Sequence, residues 1–523
     1  MRSNKSRRDF LTGAGAIAVA GLPIAAARST GALGQTVTTS GLEYRTVAEL
    51  ASGLARRQFS AAELVEHAIA RIEALDGPIN AVVVRDFERG RSAAVQADAA
   101  LRRGEARPLL GIPMTVKESF HVAGLPTTWG IPRFKDWRAT QDAVVVARAK
   151  AAGAVVLGKT NVPLLLSDVQ SFNEIYGTTN NPWDLTRTPG GSSGGSAAAL
   201  AAGYVPIELG SDLNGSLRAP AHYCGVFAHK PSLGLVPLRG HTPPATPALP
   251  VEIDLAVAGP MARSAADLEL LLNVIAGPDE PMATGYRMAL GPPRHDRLQG
   301  FRVLIVDTHP LLPTAQSIRT AIDRFAEKLE KAGAKVARSS PLLPDLAQMA
   351  RTYMLLLMSL AGADMPAEAH RRLQGVAAGL PAEDQSLSAM RVRGIVLSHR
   401  DWIAADNVRR AIQQQWRDLF REWDVVVCPA EPIPAFPHDH APREARRLDI
   451  DGRDFPFSDR VVWPGVATLP GLPATAVPIA RTETGLPIGV QVIGPYLEDR
   501  TTLAFARLVE RELGGFVRPP RFI

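Results

Sequence analysis

The chain is short of cysteine, of concentrated charge and of long apolar runs, and each shortage removes a class of function. Only two cysteines occur in 523 residues. Cys224 and Cys428 both stand among apolar neighbours, in His222-Tyr-Cys-Gly-Val-Phe227 and Val425-Val-Val-Cys-Pro429, which reads as two buried, inert thiols; a disulfide between them stays open. There is no Cys-x-x-Cys pair and no Cys/His cluster, and His438 and His440 stand alone in a proline-rich loop, so no metal site is expected. The balance of 58 Lys+Arg against 52 Asp+Glu leaves a net charge of +6 with no dense basic run. Phosphate recognition needs a concentrated basic face, so no nucleic-acid partner is expected.

What is present is a composition that can build a large core, 46% hydrophobic and 21% charged. Length allows three domains or one large α/β unit. The N-terminus reads as an address. Ser6-Arg7-Arg8-Asp9-Phe10-Leu11 opens a basic segment, and a Gly/Ala-rich, weakly apolar stretch follows over 11–27. This pattern is that of a twin-arginine export signal, with cleavage near 27–36 and a periplasmic destination. Thr12 stands where a lysine often follows such a motif. The apolar stretch is short for a span and is broken by Thr12 and Pro23, so no stable membrane insertion is expected after export. Residues 1–35 are assigned to signal and linker, and 41–523 to the folded domain.

Along that domain, Ser60-Ala-Ala-Glu63 forms a capping box ahead of Leu64, Val65, Ala68, Ile69, Ile72 and Leu75 on one helical face. The pattern then predicts a strand at 109–116, a helix at 142–152 and a strand at 154–157. A local strand–helix–strand module is predicted at 301–306, 315–332 and 335–338, then helix-rich sequence to 422. Late strands are predicted at 425–428, 474–477 and 489–493. The alternation argues for an α/β sheet, and no internal repeat is present.

Two motifs fit well-known patterns in the wrong context. Gly153-Ala-Val-Val-Leu-Gly158-Lys159-Thr160 matches a phosphate-binding loop by letter, but its variable residues read as the strand itself and Asn161-Val-Pro163 follows instead of a helix. Gly190-Gly-Ser192-Ser-Gly194 matches a nucleophile elbow, yet Asn180-Asn-Pro182-Trp-Asp184 and the residues after it read as a loop, not a strand.

Three elements carry chemistry: Gly111-Ile-Pro-Met-Thr-Val-Lys117-Glu118, Pro189-Gly-Gly-Ser192-Ser-Gly-Gly-Ser-Ala197, and Gly210-Ser-Asp-Leu-Asn-Gly-Ser216-Leu-Arg218-Ala-Pro220. A serine hydroxyl needs a base at neutral pH, and a lysine serves as one only when burial keeps it neutral. Lys117, following an apolar run into the core, suits that part. Together these elements resemble the amidase signature family, in which the two serines stand 24 residues apart, as Ser192 and Ser216 do here. The resemblance covers most of the chain after the leader and is weak over about 280–420.

The resemblance implies one large α/β domain with a long mixed β-sheet surrounded by helices, and an amidase acting on linear carboxylic amides without a cofactor. It implies Ser216 as nucleophile, Ser192, on a cis peptide bond, as proton relay, and Lys117 as base. Backbone N–H groups of Leu213, Asn214, Gly215 and Ser216 match the oxyanion hole, with Asn214 where the family commonly has glycine; asparagine tolerates left-handed dihedrals. Asp212 and Arg218 are implied scaffold charges. Ser193 is either a partner of the serine network or a plain N-cap. Leu166 either faces the acyl group or is a core leucine. A small-molecule amide is the expected partner, and a homodimer is implied by the family. Two other readings are an amidotransferase subunit releasing ammonia for a partner complex, against which the export signal argues, and a catalytically silent binding protein, motivated by Asn214.

Overall fold

The computed structural model describes residues 41–250, 252–363 and 365–522. The export-signal reading therefore lies outside the described residues. The fold starts where side chains first cap a helix. Thr46 and Glu49 form a capping box on Val47–Ala55, and Ser60 and Glu63 form the expected one on Ala61–Leu75, with Glu63 N–H donating to Ser60 Oγ at 3.1 Å and Ser60 N–H to Glu63 Oε2 at 2.7 Å.

One eleven-stranded mixed sheet organises the described residues. Its strands are β1 (Val82–Arg85), β2 (Pro113–Lys117), β3 (Val155–Thr160), β4 (Ile207–Asp212), β5 (Phe227–Lys230), β6 (Val257–Ala262), β7 (Arg302–Ile305), β8 (Lys335–Ala337), β9 (Val425–Pro429), β10 (Ala474–Arg481) and β11 (Pro487–Ile493). They lie in the order β1-β3-β2-β4-β6-β5-β10-β11-β9-β7-β8. Pairing is parallel for β3-β2-β4 and for β9-β7-β8, and antiparallel elsewhere. Helices cover both faces, so successive residues of a strand enter different cores. Val425 and Val427 belong to one buried cluster, with Ile318, Ile322 and Phe325 of the helix Gln316–Lys331, whereas Val426 and Cys428 belong to another, with residues of Leu346–Ala363 and His399–Glu422. Burial on both faces is why these strands read as continuous apolar runs.

The expected elements are present with shifted ends. The 109–116 strand begins only at Pro113, because Leu109–Ile112 form tight turns. The 154–157 strand continues to Thr160, so the sequence that mimics a phosphate loop is β3 itself. Lys159 is buried, donating to Thr127 Oγ1 at 2.8 Å and to the Pro126 carbonyl. Both cysteines are buried and unbridged, and burial pushes the Cys428 thiol up to about 12.

Candidate functional site

The site forms where β2 and β4, parallel neighbours, end on the same side of the sheet. Lys117 is the last residue of β2 and is fully buried. Its Nζ lies 2.7 Å from Ser192 Oγ and 2.9 Å from Ser211 Oγ, with the Ser211 carbonyl at 3.5 Å. Burial lowers its ammonium to about 7, opposed by the carboxyls of Asp212 and Glu208. Once neutral, the amine keeps two N–H bonds and gains a lone pair, so the short contact to Ser192 can run with the serine hydroxyl as donor.

Ser192 follows a cis peptide bond from Gly191, as the resemblance implies. A side chain at position 191 would place its Cβ 2.5 Å from the Asp168 carbonyl oxygen, so only glycine lets the two segments meet. No strand precedes Ser192; it lies between the loop ending at Pro189 and the helix Gly194–Ala201. Ser193 makes no side-chain cap on that helix. Its Oγ instead donates to the Ser211 carbonyl at 3.3 Å and accepts from Ser211 N–H at 3.4 Å, tying the serine loop to β4.

After β4 the chain turns through Leu213–Leu217 into the helix Arg218–Cys224. Asp212 organises the turn: Gly215 N–H donates to its Oδ1 at 2.8 Å and Leu217 N–H to its Oδ2 at 3.1 Å. Arg218 pairs with the same carboxylate through Nε at 3.0 Å and Nη2 at 2.9 Å, and reaches the Pro464 carbonyl, Gln491 and Thr468 beyond it. Burial raises the Asp212 carboxyl, but Arg218 and these donors outweigh it and hold it at about 2. Ser193 N–H donates to the Ser216 carbonyl at 3.2 Å, joining the two serine segments. Of the three central groups Ser216 is the most accessible, 9% against 2% for Ser192 and 0% for Lys117.

Two expectations about this turn change. The Gly215 N–H is committed to Asp212, which leaves Leu213, Asn214 and Ser216 to supply the donors expected of an oxyanion hole. The left-handed position is Gly215, with φ 86°, and not Asn214, so the tolerance of asparagine for such dihedrals is not called on. Leu166 is no core leucine: it is half-buried with φ 57°, and Leu164 and Leu165 beside it are exposed.

Several neighbours carried no assigned role in the sequence reading. Ser211 is the second partner of Lys117. Tyr353 donates to the Leu213 carbonyl at 2.8 Å and lies 3.1 Å from Asn214 Oδ1. Arg460, buried and paired with Glu431, donates to the Asn214 carbonyl at 3.4 Å. Glu208, on β4 opposite Thr115, is fully buried with no hydrogen-bond partner of good geometry, although the hydroxyls of Thr115, Thr160 and Ser196 surround it; burial pushes it up to about 8.

The chain is similar to known proteins over most of its length. The family model described as Amidase matches residues 63–503. A glutamyl-tRNA(Gln) amidotransferase subunit from Anaeromyxobacter dehalogenans is 33% identical over 500 residues, spanning 90% of this chain and 97% of the relative. A bacterial aryl acylamidase of the amidase signature enzymes superposes with TM-score 0.76 at 25% identity, over 91% of this chain and 97% of the other. A 6-aminohexanoate cyclic dimer hydrolase complexed with substrate superposes with TM-score 0.72 at 26% identity, over 92% and 100%.

Proposed function

The chain belongs to the amidase signature family, and from that premise we propose that it cleaves a carboxylic amide through an acyl-enzyme on Ser216. The observation that carries this reading is the contact of 2.7 Å between the Lys117 amine, buried and lowered toward neutrality, and Ser192 Oγ, in a segment bonded to that of the more accessible Ser216. In the proposed sequence Ser192 passes the Ser216 proton to Lys117 as Ser216 Oγ attacks the carbonyl carbon. The oxyanion is met by the N–H groups of Leu213, Asn214 and Ser216. The proton returns through Ser192 to the leaving amine, and water then attacks the acyl-enzyme to release the acid and restore Ser216. Asp212 and Arg218 hold the loop and touch no reacting atom. No cofactor enters these steps.

A second setting for the same chemistry is favoured by a specific observation: the amidotransferase relative is matched over nearly its whole length. In that setting the amide is a donor whose ammonia is passed to a partner protein. The Arg7-Arg8 leader supports the first setting, a free-standing exported enzyme.

Intact-mass labelling with a fluorophosphonate tests the shared chemistry without a known substrate. One adduct on wild type, absent in Ser216→Ala and slowed at least about a hundredfold in Lys117→Ala, is expected. No adduct on folded wild type from neutral to alkaline pH would defeat the reading and favour a silent binding protein. Ammonia release from L-glutamine, compared with a panel of aryl and alkyl amides, separates the two settings. Glutamine turnover that rises on adding amidotransferase partner proteins would favour the second.

A further inference from the structure

Three consecutive peptide units precede the hydroxyl of Ser216, and each has its carbonyl tied from behind. The Leu213 carbonyl accepts from Tyr353 Oη at 2.8 Å, the Asn214 carbonyl from Arg460 at 3.4 Å, and the Gly215 carbonyl from Ala219 N–H at 2.7 Å. A trans peptide points its C=O and N–H in opposite directions, so a held carbonyl aims the N–H across the bond. The middle unit is fixed at both ends, because Gly215 N–H also donates to Asp212. The outer two leave Asn214 N–H and Ser216 N–H facing the other way. The Arg460 brace is itself held by buried Glu431, and the third brace is the start of the following helix. The first depends on Tyr353.

Tyr353 comes from the helix Leu346–Ala363, 140 residues along the chain from the loop it meets. Its ring is buried against Gly465, where a methyl would come within 2.6 Å of Cδ1. Burial holds its phenol neutral by raising its proton affinity further, so the donor persists across the working pH range. A phenol has one proton to give, and the shorter contact to Leu213 claims it. The 3.1 Å contact to the Asn214 amide is then best satisfied with that amide turned by 180°, its N–H2 donating to the phenol oxygen. Glycine at position 214 could not make this bond.

We propose that Tyr353 and the Asn214 side chain form a positioning pair that aims the Asn214 N–H at the developing oxyanion, so that asparagine at 214 acts as a tether for the loop. The inference rests on the reading of Ser216 as nucleophile. Tyr353 touches no reacting atom in it.

Saturable fluorophosphonate labelling separates aiming from binding, since kinact reports the reaction and KI the encounter. Tyr353→Phe is expected to lower kinact about tenfold, part of the loss that follows removal of a whole oxyanion donor, with KI unchanged. Asn214→Ala is expected to lower kinact less, and the double variant no further than Tyr353→Phe alone, because both changes break one contact. Unchanged kinact in folded Tyr353→Phe, a change confined to KI, or additive losses would each overturn the pair. Should Tyr353→Phe fail to fold, Asn214→Ala decides: a lower kinact at constant KI supports the pair and an unchanged one overturns it. Absence of labelling in wild type would instead remove the Ser216 reading, and this inference with it.

Discussion

At the scale of single residues, the site is built around Asp212, a carboxylate that does no chemistry in the proposed reaction. It accepts two backbone N–H groups of the Ser216 loop and pairs with Arg218, and both side chains are fully buried. Removing one partner of such a pair strands the other charge, so Asp212→Asn is expected to destabilise the fold by about 3–5 kcal/mol in denaturant unfolding. The carboxyl is held at about 2, below its ordinary 3.8. Its contribution is therefore complete above the ordinary value and is lost as pH falls through about 2. The stability gap between wild type and variant should widen as pH falls through about 7, where Lys117 takes up a proton that the Asp212 carboxylate favours, and narrow below about 4. A gap that stays constant down to about pH 2 would show that Asp212 is not the carboxyl held low. The family resemblance implies Asp212 and Arg218 as scaffold charges, and both ends of that pair lie within the one motif that carries the resemblance around Ser216. Tyr353 could not be read that way. Its contact to Leu213 spans 140 residues of sequence, and nothing local to a tyrosine in an apolar helix marks which loop it meets.

At the scale of elements, the parallel register of β2 and β4 sets the charges around the base. Thr115 is paired with Glu208, and Lys117 lies two residues further along β2, on the same face. The elements around Glu208 bring few charges. β6 and the helix Gly194–Ala201 carry no titratable side chain, β3 carries Lys159 next to Thr160, and β4 itself carries Asp212. With burial pushing it up to about 8, Glu208 is mostly a neutral acid at pH 7. Its carboxylate, when formed, favours the protonated lysine. Labelling of Ser216 should rise with pH through about 7 as Lys117 loses its proton, and Glu208→Gln, permanently neutral, should move that rise to lower pH. A rise displaced to higher pH would mean that Glu208 assists deprotonation. The strands behind this arrangement were legible because buried β-branched runs such as Val425-Val-Val427 mark themselves. Strand order was not, because pairings such as β4 with β6 join segments whose sequences carry no mark of adjacency.

At the scale of the whole molecule, the proposed export segment makes the place where the chain acts a matter for experiment. Among the described residues the core begins with Leu42 and the first capped helix with Thr46, both after the segment assigned to export. A chain lacking residues 1–35 is therefore expected to fold and to label at Ser216 at the wild-type rate. Its location should change: the full chain is expected in the periplasmic fraction, and the shortened chain, or one carrying Arg7→Lys with Arg8→Lys, in the cytosol. Fractionation followed by labelling reads both properties in one sample. The same sample also weighs the two settings of the reaction. Charged transfer RNA is a cytosolic substrate, so an active enzyme found outside the cytosol has no amidotransferase partner to supply, however high its identity to amidotransferase relatives. An active chain retained in the cytosol with or without its first 35 residues would reverse that conclusion, because the same serine and lysine would then stand where a partner complex could use their ammonia.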